Sequence, residues 1–428
     1  MLVNRKINSI ALLIFVTILI APWFTAACAK PYSIKPVILG CPLSLGFPDG
    51  IAARDNIQLA VEEINQDGGV NIGGVKRPLI AEFMDTRDLE PGVPTSEALL
   101  AVEKLLLEKK ADLIIGGPVR SEAALAAMDL VSKYQKVSLI SAGVLTPAYD
   151  KKITDDYERY KYCFRTTGSV DPMISESVSI LERMKVDFGW SRVHIMVQDV
   201  AHARSAGDAM KAGLEERGWK ITGYEKYPTG SSDFSLGLLK AKEAGAQVLF
   251  PWFDMPESSI LMKQWNGLKL PMLICGYLNA ALDSGFWKAT DGKCAYIVVV
   301  YPKAGVVSSG AIPQADKYIN VYKKKFGSEP GLTGWSPVCY QVVYIVKEAL
   351  ERAGSVDSGA LIAALEKLDM RGVYGRIRFN PRSHQIIYSM DPAEGAVGCW
   401  TQWLDGRRVL VYPPKIATAP IKLPPWMK

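Results

Sequence analysis

Residues 111–147 read ADLIIGGPVRSEAALAAMDLVSKYQKVSLISAGVLTP and contain two different hydrophobic patterns. Residues 111–116 and 137–141 are short, almost wholly apolar runs, which is typical of strands buried in a parallel sheet. Residues 121–134 instead place their apolar side chains at helical spacing, behind a serine that favours a helix start. The order strand, helix, strand predicts a parallel α/β architecture.

The same alternation continues on both sides of this unit. Before it, we expect strands at 34–39 and 79–84, each followed by a helix. After a polar stretch at 155–169, a second series of strands alternates with helices between residues 192 and 275. Further helices are expected at 312–326, 337–353 and 359–368, and short final strands between residues 373 and 412. Two doubly wound α/β lobes fit this order.

The composition is that of an ordinary globular protein, since 49% of the 428 residues are apolar and 22% are charged. It excludes a disordered chain, a collagen and a long coiled coil. Lysine and arginine exceed aspartate and glutamate by only 50 to 44, and the charges are scattered. Nucleic acid is therefore not expected as a partner, because its binding needs a concentrated basic surface.

The first thirty residues, MLVNRKINSIALLIFVTILIAPWFTAACAK, combine a basic start, an apolar stretch and small residues. This order predicts a secretory signal over residues 1–28 and therefore an exported protein. A membrane anchor is the alternative, because the apolar part is nearly long enough to span a bilayer. Residues 25–28, TAAC, also resemble a bacterial lipobox, although leucine usually stands at its first position. We expect a protein that is periplasmic or lipid-anchored through Cys28 to the outer face of the cytoplasmic membrane.

Catalytic and metal-binding motifs are missing from the sequence. Six cysteines follow Cys28 and none forms a CxxC pair, which argues against a zinc or thioredoxin-type site. These cysteines could form one or two disulfides or remain buried free thiols. The sequence has no GxSxG, HExxH, P-loop or EF-hand motif, and only three histidines. We expect no cofactor, no bound metal and no catalysis, with a secreted hydrolase as the remote alternative.

Two loops that follow predicted strands carry candidate binding residues. Loop 116–122, GGPVRSE, offers unpaired N–H groups at a helix start together with Arg120 and Ser121, which suit an anion. Loop 141–147, SAGVLTP, offers Gly143 for close approach of the backbone. The alternatives are a tight strand-to-helix turn and a solvated surface arginine.

Four segments, taken in order, carry a resemblance to a known family. They read GCPLSLGFPDGIAARDNIQLAVEEINQDGGVNIGG (40–74), ADLIIGGPVRSEAALAAMDLVSKYQKVSLISAGVLTP (111–147), CFRTTGSVDP (163–172) and YPTGSSDFSLGLLKAKEAGAQVLF (227–250). From about Ile34 to Pro413 the chain resembles the type I periplasmic solute-binding proteins of the leucine/isoleucine/valine-binding family. These proteins supply ABC importers of the branched-chain amino-acid class.

The resemblance implies a receptor without catalytic activity, which closes on a small molecule in a central cleft between two lobes. Three crossings would join the lobes, near Arg165, residues 298–300 and residues 377–379. The expected ranges are 34–165 plus 301–376 for the first lobe, 166–300 plus 377–413 for the second, and 414–428 for a C-terminal tail. The resemblance also implies a monomer that docks on an ABC permease, and a sensor subunit of a membrane receptor is the alternative role.

For the first lobe, the resemblance implies ligand contacts from Ser121 and from the backbone of Ala142 and Gly143. Leu145 stands where a threonine is expected. Arg120 could pair with one carboxylate of the ligand.

For the second lobe, His202 stands where a tyrosine usually covers the ligand. The acidic residue that pairs with the ammonium group of an amino acid would fall near Leu278, but no carboxylate follows there until Asp283. A buried ammonium without a carboxylate is costly, so we expect an uncharged or anionic ligand rather than an α-amino acid.

Four aromatic residues fall in loops that face the cleft in this family: Phe47, Trp252, Phe253 and Tyr277. Flat apolar surfaces of this kind suit an aromatic or hydrophobic organic acid. Core packing is the alternative for Trp252 and Phe253.

Overall fold

The computed structural model describes residues 35–331 and 335–427. The signal expected at residues 1–28, with Cys28, lies outside the described residues and stays a prediction. No helix in the described part of the chain is both long and apolar enough to cross a membrane.

Strands and helices alternate along the chain. The strands of the described residues are β1 (Val37–Leu43), β2 (Val70–Ile72), β3 (Val75–Arg77), β4 (Leu79–Asp85), β5 (Leu113–Gly116), β6 (Ser138–Ile140), β7 (Cys163–Arg165), β8 (Arg192–Gln198), β9 (Lys220–Tyr227), β10 (Val248–Phe253), β11 (Leu273–Leu278), β12 (Val298–Tyr301), β13 (Met370–Gly372), β14 (Gly375–Ile377), β15 (Cys399–Leu404) and β16 (Arg407–Tyr412). Their α-helices are α1 (Pro48–Gln66), α2 (Thr95–Leu107), α3 (Ser121–Lys133), α4 (Ala148–Asp155), α5 (Tyr157–Tyr160), α6 (Val170–Phe188), α7 (Ala201–Glu215), α8 (Ser235–Glu243), α9 (Ser258–Gly267), α10 (Phe286–Ala289), α11 (Pro313–Phe326), α12 (Ser336–Ala353) and α13 (Ser358–Glu366).

These strands form two main sheets. The first sheet has five parallel strands in the order β4-β1-β5-β6-β7, all from residues 37–165. The second sheet has seven strands in the order β16-β15-β12-β11-β10-β8-β9, of which β15 runs antiparallel to both of its neighbours, β12 and β16. The expectation of two doubly wound α/β units is confirmed.

Burial follows the two hydrophobic periods of the sequence. Strands β5 and β6 are buried at every residue, as expected where helices cover both faces of a parallel sheet. Helix α3 buries one side only, through Ala123, Ala124, Ala127, Met128 and Val131. The helix predicted at residues 121–134 therefore matches α3 to within one residue.

Helix α6 and strand β7 are the main elements that the sequence patterns did not reveal. Strand β7 has only three residues and lies inside the polar stretch at 155–169. Helix α6 begins where the hydroxyl of Ser169 accepts a hydrogen bond from the N–H of Asp171 at 3.2 Å. Its buried positions include Glu176 and Ser177, so polar residues interrupt the apolar stripe by which an amphipathic helix is recognised.

The cysteines that follow Cys28 are all buried and free. The structure therefore supports the second of the two alternatives that the sequence left open, buried thiols rather than disulfides.

The chain passes three times between the first sheet, with the helices packed on it, and the second sheet. It leaves β7 toward α6 and β8, returns after β12 to α12, which packs on α1 and β5, and leaves again between β14 and β15. Residues 298–300, where we expected a crossing, belong to β12 inside the second sheet, so this crossing follows Tyr301 instead. Within the range expected for the second lobe, Gln385 pairs with Arg165 at the edge of the first sheet. The exact lobe boundaries stay predictions.

Candidate functional site

The predicted binding residues lie at the carboxyl ends of parallel strands. Those of the first sheet follow β1, β5 and β6: Phe47, Arg120, Ser121, Ala142, Gly143 and Leu145. Those of the second sheet follow β8 or belong to the last two residues of β10 and β11: His202, Phe253 and Tyr277. Because parallel strands end at the same edge of a sheet, each group can form one side of a site.

A negative charge at the edge of the first sheet acts on a hydroxyl at the edge of the second sheet. Burial, followed by the negative charges of Asp254 and Asp49, raises the pKa of the Tyr277 hydroxyl well above its ordinary value. Asp49 lies in the first turn of α1, directly after β1 of the first sheet, whereas Tyr277 belongs to the second sheet. Since charges act strongly only over short distances in protein, Asp49 lies near enough to Tyr277 for its charge to act on the hydroxyl.

On the first side of the site, Asp88 holds together the loops that follow β1, β4 and β5. Its carboxylate accepts hydrogen bonds from the backbone N–H groups of Val119, at 2.8 Å, and Arg120, at 2.7 Å. The hydroxyls of Thr86, at 2.5 Å, and Ser44 donate to the other carboxylate oxygen. Asp88 is only 1% exposed. The loop between β5 and α3 therefore binds an anion, but that anion is a side chain of the protein itself.

The first turn of α3, which starts at Ser121, has backbone N–H groups that could donate to a ligand. No side chain caps this helix, and the first N–H groups of a helix have no acceptor within it. Arg120 extends along the start of α2, with Nη2 at 3.3 Å from the hydroxyl of Thr95 and Nε at 3.7 Å from Glu122. The Nε of Arg120 has no hydrogen-bond acceptor among the described residues. An anionic ligand at this end would meet Ser121 and, at the rim, Arg120.

The loop after β6 packs directly against the loop after β5. A Cβ at Gly143 would lie 2.4 Å from the carbonyl oxygen of Val119, and Gly143 has a φ of +63°, so only glycine fits without strain. Ala142 is buried and donates its N–H to Gly116 at 3.0 Å. Leu145 is half-buried, and its carbonyl accepts the N–H of Val170 at 3.1 Å. The structure therefore brings together the residues predicted for the first side.

On the second side, His202 pairs with Asp254. His202 lies in the first turn of α7 and its Nε2 is hydrogen-bonded to the Asp254 carboxylate. This hydrogen bond raises the pKa of His202 above its ordinary value, although partial burial acts in the opposite direction. The backbone N–H of Asp254 donates to Gln198 at 2.9 Å, which fixes the carboxylate beside the end of β8. The pair offers both a hydrogen-bond donor and an acceptor to a ligand.

We expect the three histidines to titrate at different pH values. In an NMR titration of the imidazole protons, His202 should titrate above pH 6.5, because Asp254 stabilises its charged form. Burial lowers the pKa of both His194 and His384, so their midpoints should lie below 6.5. Asp254→Asn should move the His202 midpoint down and leave the other two unchanged, and an unchanged His202 midpoint would contradict the pairing.

The aromatic residues at the ends of β10 and β11 are buried on opposite faces of the second sheet. The rings of Trp252 and Tyr277 lie 5.0 Å apart, and Trp252 Nε1 has no acceptor among the described residues. Phe253 was expected at the cleft, but its ring packs in the core at 5.6 Å from Phe234. Side chains alternate along a strand, so Trp252 and its neighbour Phe253 point to opposite faces of β10. Phe47, just before α1, is half-buried.

Three acidic residues of the site were missed in the sequence: Asp49, Asp88 and Asp254. Each follows the end of a parallel strand, as Ser121 and Gly143 do, so this position along the chain is the signal by which they could be found. Among the described residues, no group of three histidine, cysteine or acidic side chains is arranged to hold a metal ion.

A family model described as periplasmic binding protein matches residues 45–396. The chain belongs to this family. Periplasmic binding proteins bind small solutes for ABC transporters, and the resemblance found in the sequence is confirmed. The chain is 25% identical over 382 residues to Leu/Ile/Val-binding protein homolog 7 of Brucella abortus strain 2308. That alignment covers 88% of this binding protein and 90% of its relative.

Solved structures share the fold of this binding protein. One, from Silicibacter pomeroyi, is assigned to branched-chain amino acid ABC transport and has a TM-score of 0.80 at 22% identity, covering 92% of this chain and 100% of its own. Another is an ABC-transporter solute-binding protein from Rhodopseudomonas palustris BisB5 in complex with 3,4-dihydroxybenzoic acid. Its TM-score is 0.66 at 20% identity, with coverage of 87% of this chain and 95% of its own.

Proposed function

We propose that this protein is an extracytoplasmic receptor that closes on a small organic acid and delivers it to an ABC importer. The observation that supports the proposal is that Ser121 and Tyr277, with the other predicted contact residues, lie at the carboxyl ends of parallel strands in two different sheets. A ligand between them contacts both sides only in the closed form, and therefore stabilises that form. This role is binding and transport rather than catalysis.

The polar groups of the cleft suit an acid with a hydrogen-bonding group at its far end. A carboxylate would accept from the N–H and hydroxyl of Ser121 in the first turn of α3, near Arg120. A flat ring would lie against Tyr277 and Trp252, and a hydroxyl on that ring would donate to Asp254 or Asp49. Hydroxylated aromatic acids have this chemistry, and the R. palustris protein was solved with one of them.

An α-amino acid is the second candidate, because Asp49 and Asp254 supply carboxylates that residues 278–282 lack. The names of the Brucella and Silicibacter proteins point to the same class. Asp254, however, already accepts a hydrogen bond from His202, whose raised pKa favours a positive charge beside it. That charge would repel an ammonium group, so we favour the acid.

The two candidates can be separated by thermal unfolding of the mature protein with hydroxybenzoates, aliphatic carboxylates, amides and free amino acids. A ligand at a hundredfold its Kd adds about 2.7 kcal/mol to the free energy of unfolding. We expect stabilisation by aromatic acids and none by the matching amides. Stabilisation by amino acids alone would favour the second candidate, and no effect of any class would contradict both.

Two variants connect the measured affinity to the cleft. Ser121→Ala should weaken binding of the best acid about tenfold, since it removes one hydrogen bond to the carboxylate. Tyr277→Phe should also weaken it, since it removes the hydroxyl that hydrogen-bonds to Asp254 and so positions the carboxylate proposed to accept from the ligand. Ser179→Ala and Tyr224→Phe are matched controls, because these hydroxyls donate to backbone carbonyls of Ser175 and Arg204 in other parts of the second unit. Equal affinities for all four variants would contradict this site.

A further inference from the structure

The carboxylate of Asp88 has a complete set of donors, although it is almost wholly buried. Two backbone N–H groups, from Val119 and Arg120, donate to one oxygen at 2.8 and 2.7 Å. Two hydroxyls, from Thr86 and Ser44, donate to the other oxygen. Burying a carboxylate is costly unless such donors replace its water. These four groups therefore form a pocket built for one carboxylate.

This pocket joins the loops that carry the ligand-contact residues. Ser44 follows the last residue of β1 and lies in the loop with Phe47, whose N–H donates to the Ser44 carbonyl at 3.0 Å. Val119 and Arg120 immediately precede Ser121, the first residue of α3. On its other side, the carbonyl of Val119 packs against Gly143. The position of Ser121 relative to the loops after β1 and β6 thus depends on the contacts of Asp88.

We propose that Asp88 is a built-in anion, which fills the donor pocket of the loop between β5 and α3 and thereby positions Ser121 for the ligand. The inference rests on the proposed function in so far as it concerns ligand affinity. Because Asp88 occupies the N–H groups of Val119 and Arg120, a ligand carboxylate can use only the donors from Ser121 onward. Asp88 is in this sense a positioning residue, which selects where along the loop the ligand anion binds.

Asp88→Ala should empty the pocket and leave space and donors for a formate ion. We expect its melting temperature to fall and to recover in sodium formate, but not in sodium chloride at equal ionic strength. The affinity for the best acidic ligand should fall about tenfold, since Ser121 loses its fixed position, and should recover with formate. The wild-type protein, whose pocket is filled, should show no formate-dependent stabilisation.

Asp112→Ala is the matched control. Asp112 is also a buried carboxylate of the first sheet that accepts a backbone N–H, from Ile38 at 2.9 Å, but it precedes β5 and so lies at the opposite edge. This variant should lose stability without losing ligand affinity. Asp88→Asn keeps the shape of the side chain and is the replacement variant if Asp88→Ala does not fold. It should bind the acid more weakly than wild type, and its melting temperature should not respond to formate.

The outcomes separate the proposal from the proposed function. Recovery of melting temperature but not of affinity would overturn the positioning role, and wild-type affinity in Asp88→Ala would do the same. A melting temperature insensitive to formate would overturn the donor pocket. If no acid binds the wild type, the proposed function fails, whereas the response of melting temperature to formate still decides whether the pocket accepts an anion.

Discussion

Arg165→Met should lower the free energy of unfolding by about 3–5 kcal/mol, the cost typical of breaking a buried ion pair from one side. The Arg165 side chain is 0% exposed and contacts the Asp150 carboxylate at 2.6 Å. It also donates to the carbonyls of Val144 and Thr146, both at 2.8 Å, and to Gln385 at 2.6 Å. Methionine fills much of the same volume but leaves a carboxylate and three acceptors without their donor. Urea-induced unfolding followed by tryptophan fluorescence measures the loss.

Arg159→Met provides the comparison for this prediction. Arg159 also contacts an aspartate, Asp129, at 2.7 Å, but its side chain is 57% exposed. Exposed ion pairs contribute little, so this variant should remain within about 0.5 kcal/mol of wild type. A similarly small effect of Arg165→Met would refute the role assigned to the buried pair. In a double-mutant cycle, Asp150→Asn should recover part of the loss, because it removes the unpaired carboxylate.

The same substitution is expected to weaken ligand binding. Arg165 holds the carbonyls of Val144 and Thr146, which flank Leu145 and follow Ala142 and Gly143, two of the proposed ligand contacts. Gln385, its fourth partner, belongs to the third segment that connects the sheets. Arg165 therefore connects the loop after β6 to the segment that contains Gln385. Its loss should lower the stability and also affect the closure proposed for ligand binding. Isothermal titration at a temperature where the variant stays folded separates the two effects.

The fold could be predicted because its elements repeat two hydrophobic periods. Strand β5 is wholly apolar and α3 buries one side, so both can be recognised from the hydrophobic pattern of residues 111–134. Helix α6 was missed because its buried side includes Glu176, whose partners come from residues more than a hundred positions away. A pattern restricted to neighbouring residues contains no information about such partners.

The site could be predicted only in part, for a related reason. The resemblance led to His202 and Tyr277, whereas the rule that ligands bind at strand ends led to Ser121 and Gly143, and all four stay predictions as ligand contacts. The rule gave no role to Asp88, because β4 and β5 are separated by β1 in the sheet and this order is not readable from one sequence. For Phe253 the resemblance gave the right strand end, but the ring lies on the other face of the sheet.

Glu176 should make the stability of this protein fall as the pH rises from 4.5 to 7. Glu176 is 7% exposed, and burial raises its pKa to about 7, although Lys303 and the N–H of Gly398 act in the opposite direction. In the unfolded chain the carboxyl loses its proton near 4.5, its ordinary value, but in the folded protein only near 7. Between these values the folded state binds more protons, so each rise in pH favours unfolding. The contribution lost amounts to about 3 kcal/mol and is complete above pH 7.

Glu176→Gln should remove this pH dependence, because glutamine keeps the shape but does not titrate. We expect the difference in unfolding free energy between variant and wild type to change by about 3 kcal/mol between pH 4.5 and 7.5, in favour of the variant at high pH. Taking this difference cancels the contributions of the histidines. Lys303, whose pKa burial lowers well below its ordinary value, acts in the opposite direction. Glu215→Gln, at an exposed position of α7, should leave the wild-type slope unchanged, and parallel curves for Glu176→Gln and wild type would show that Glu176 titrates normally. Because Lys303 also donates to the carbonyl of Thr167 at 2.9 Å, the charge partner of Glu176 is fixed to the segment between β7 and α6.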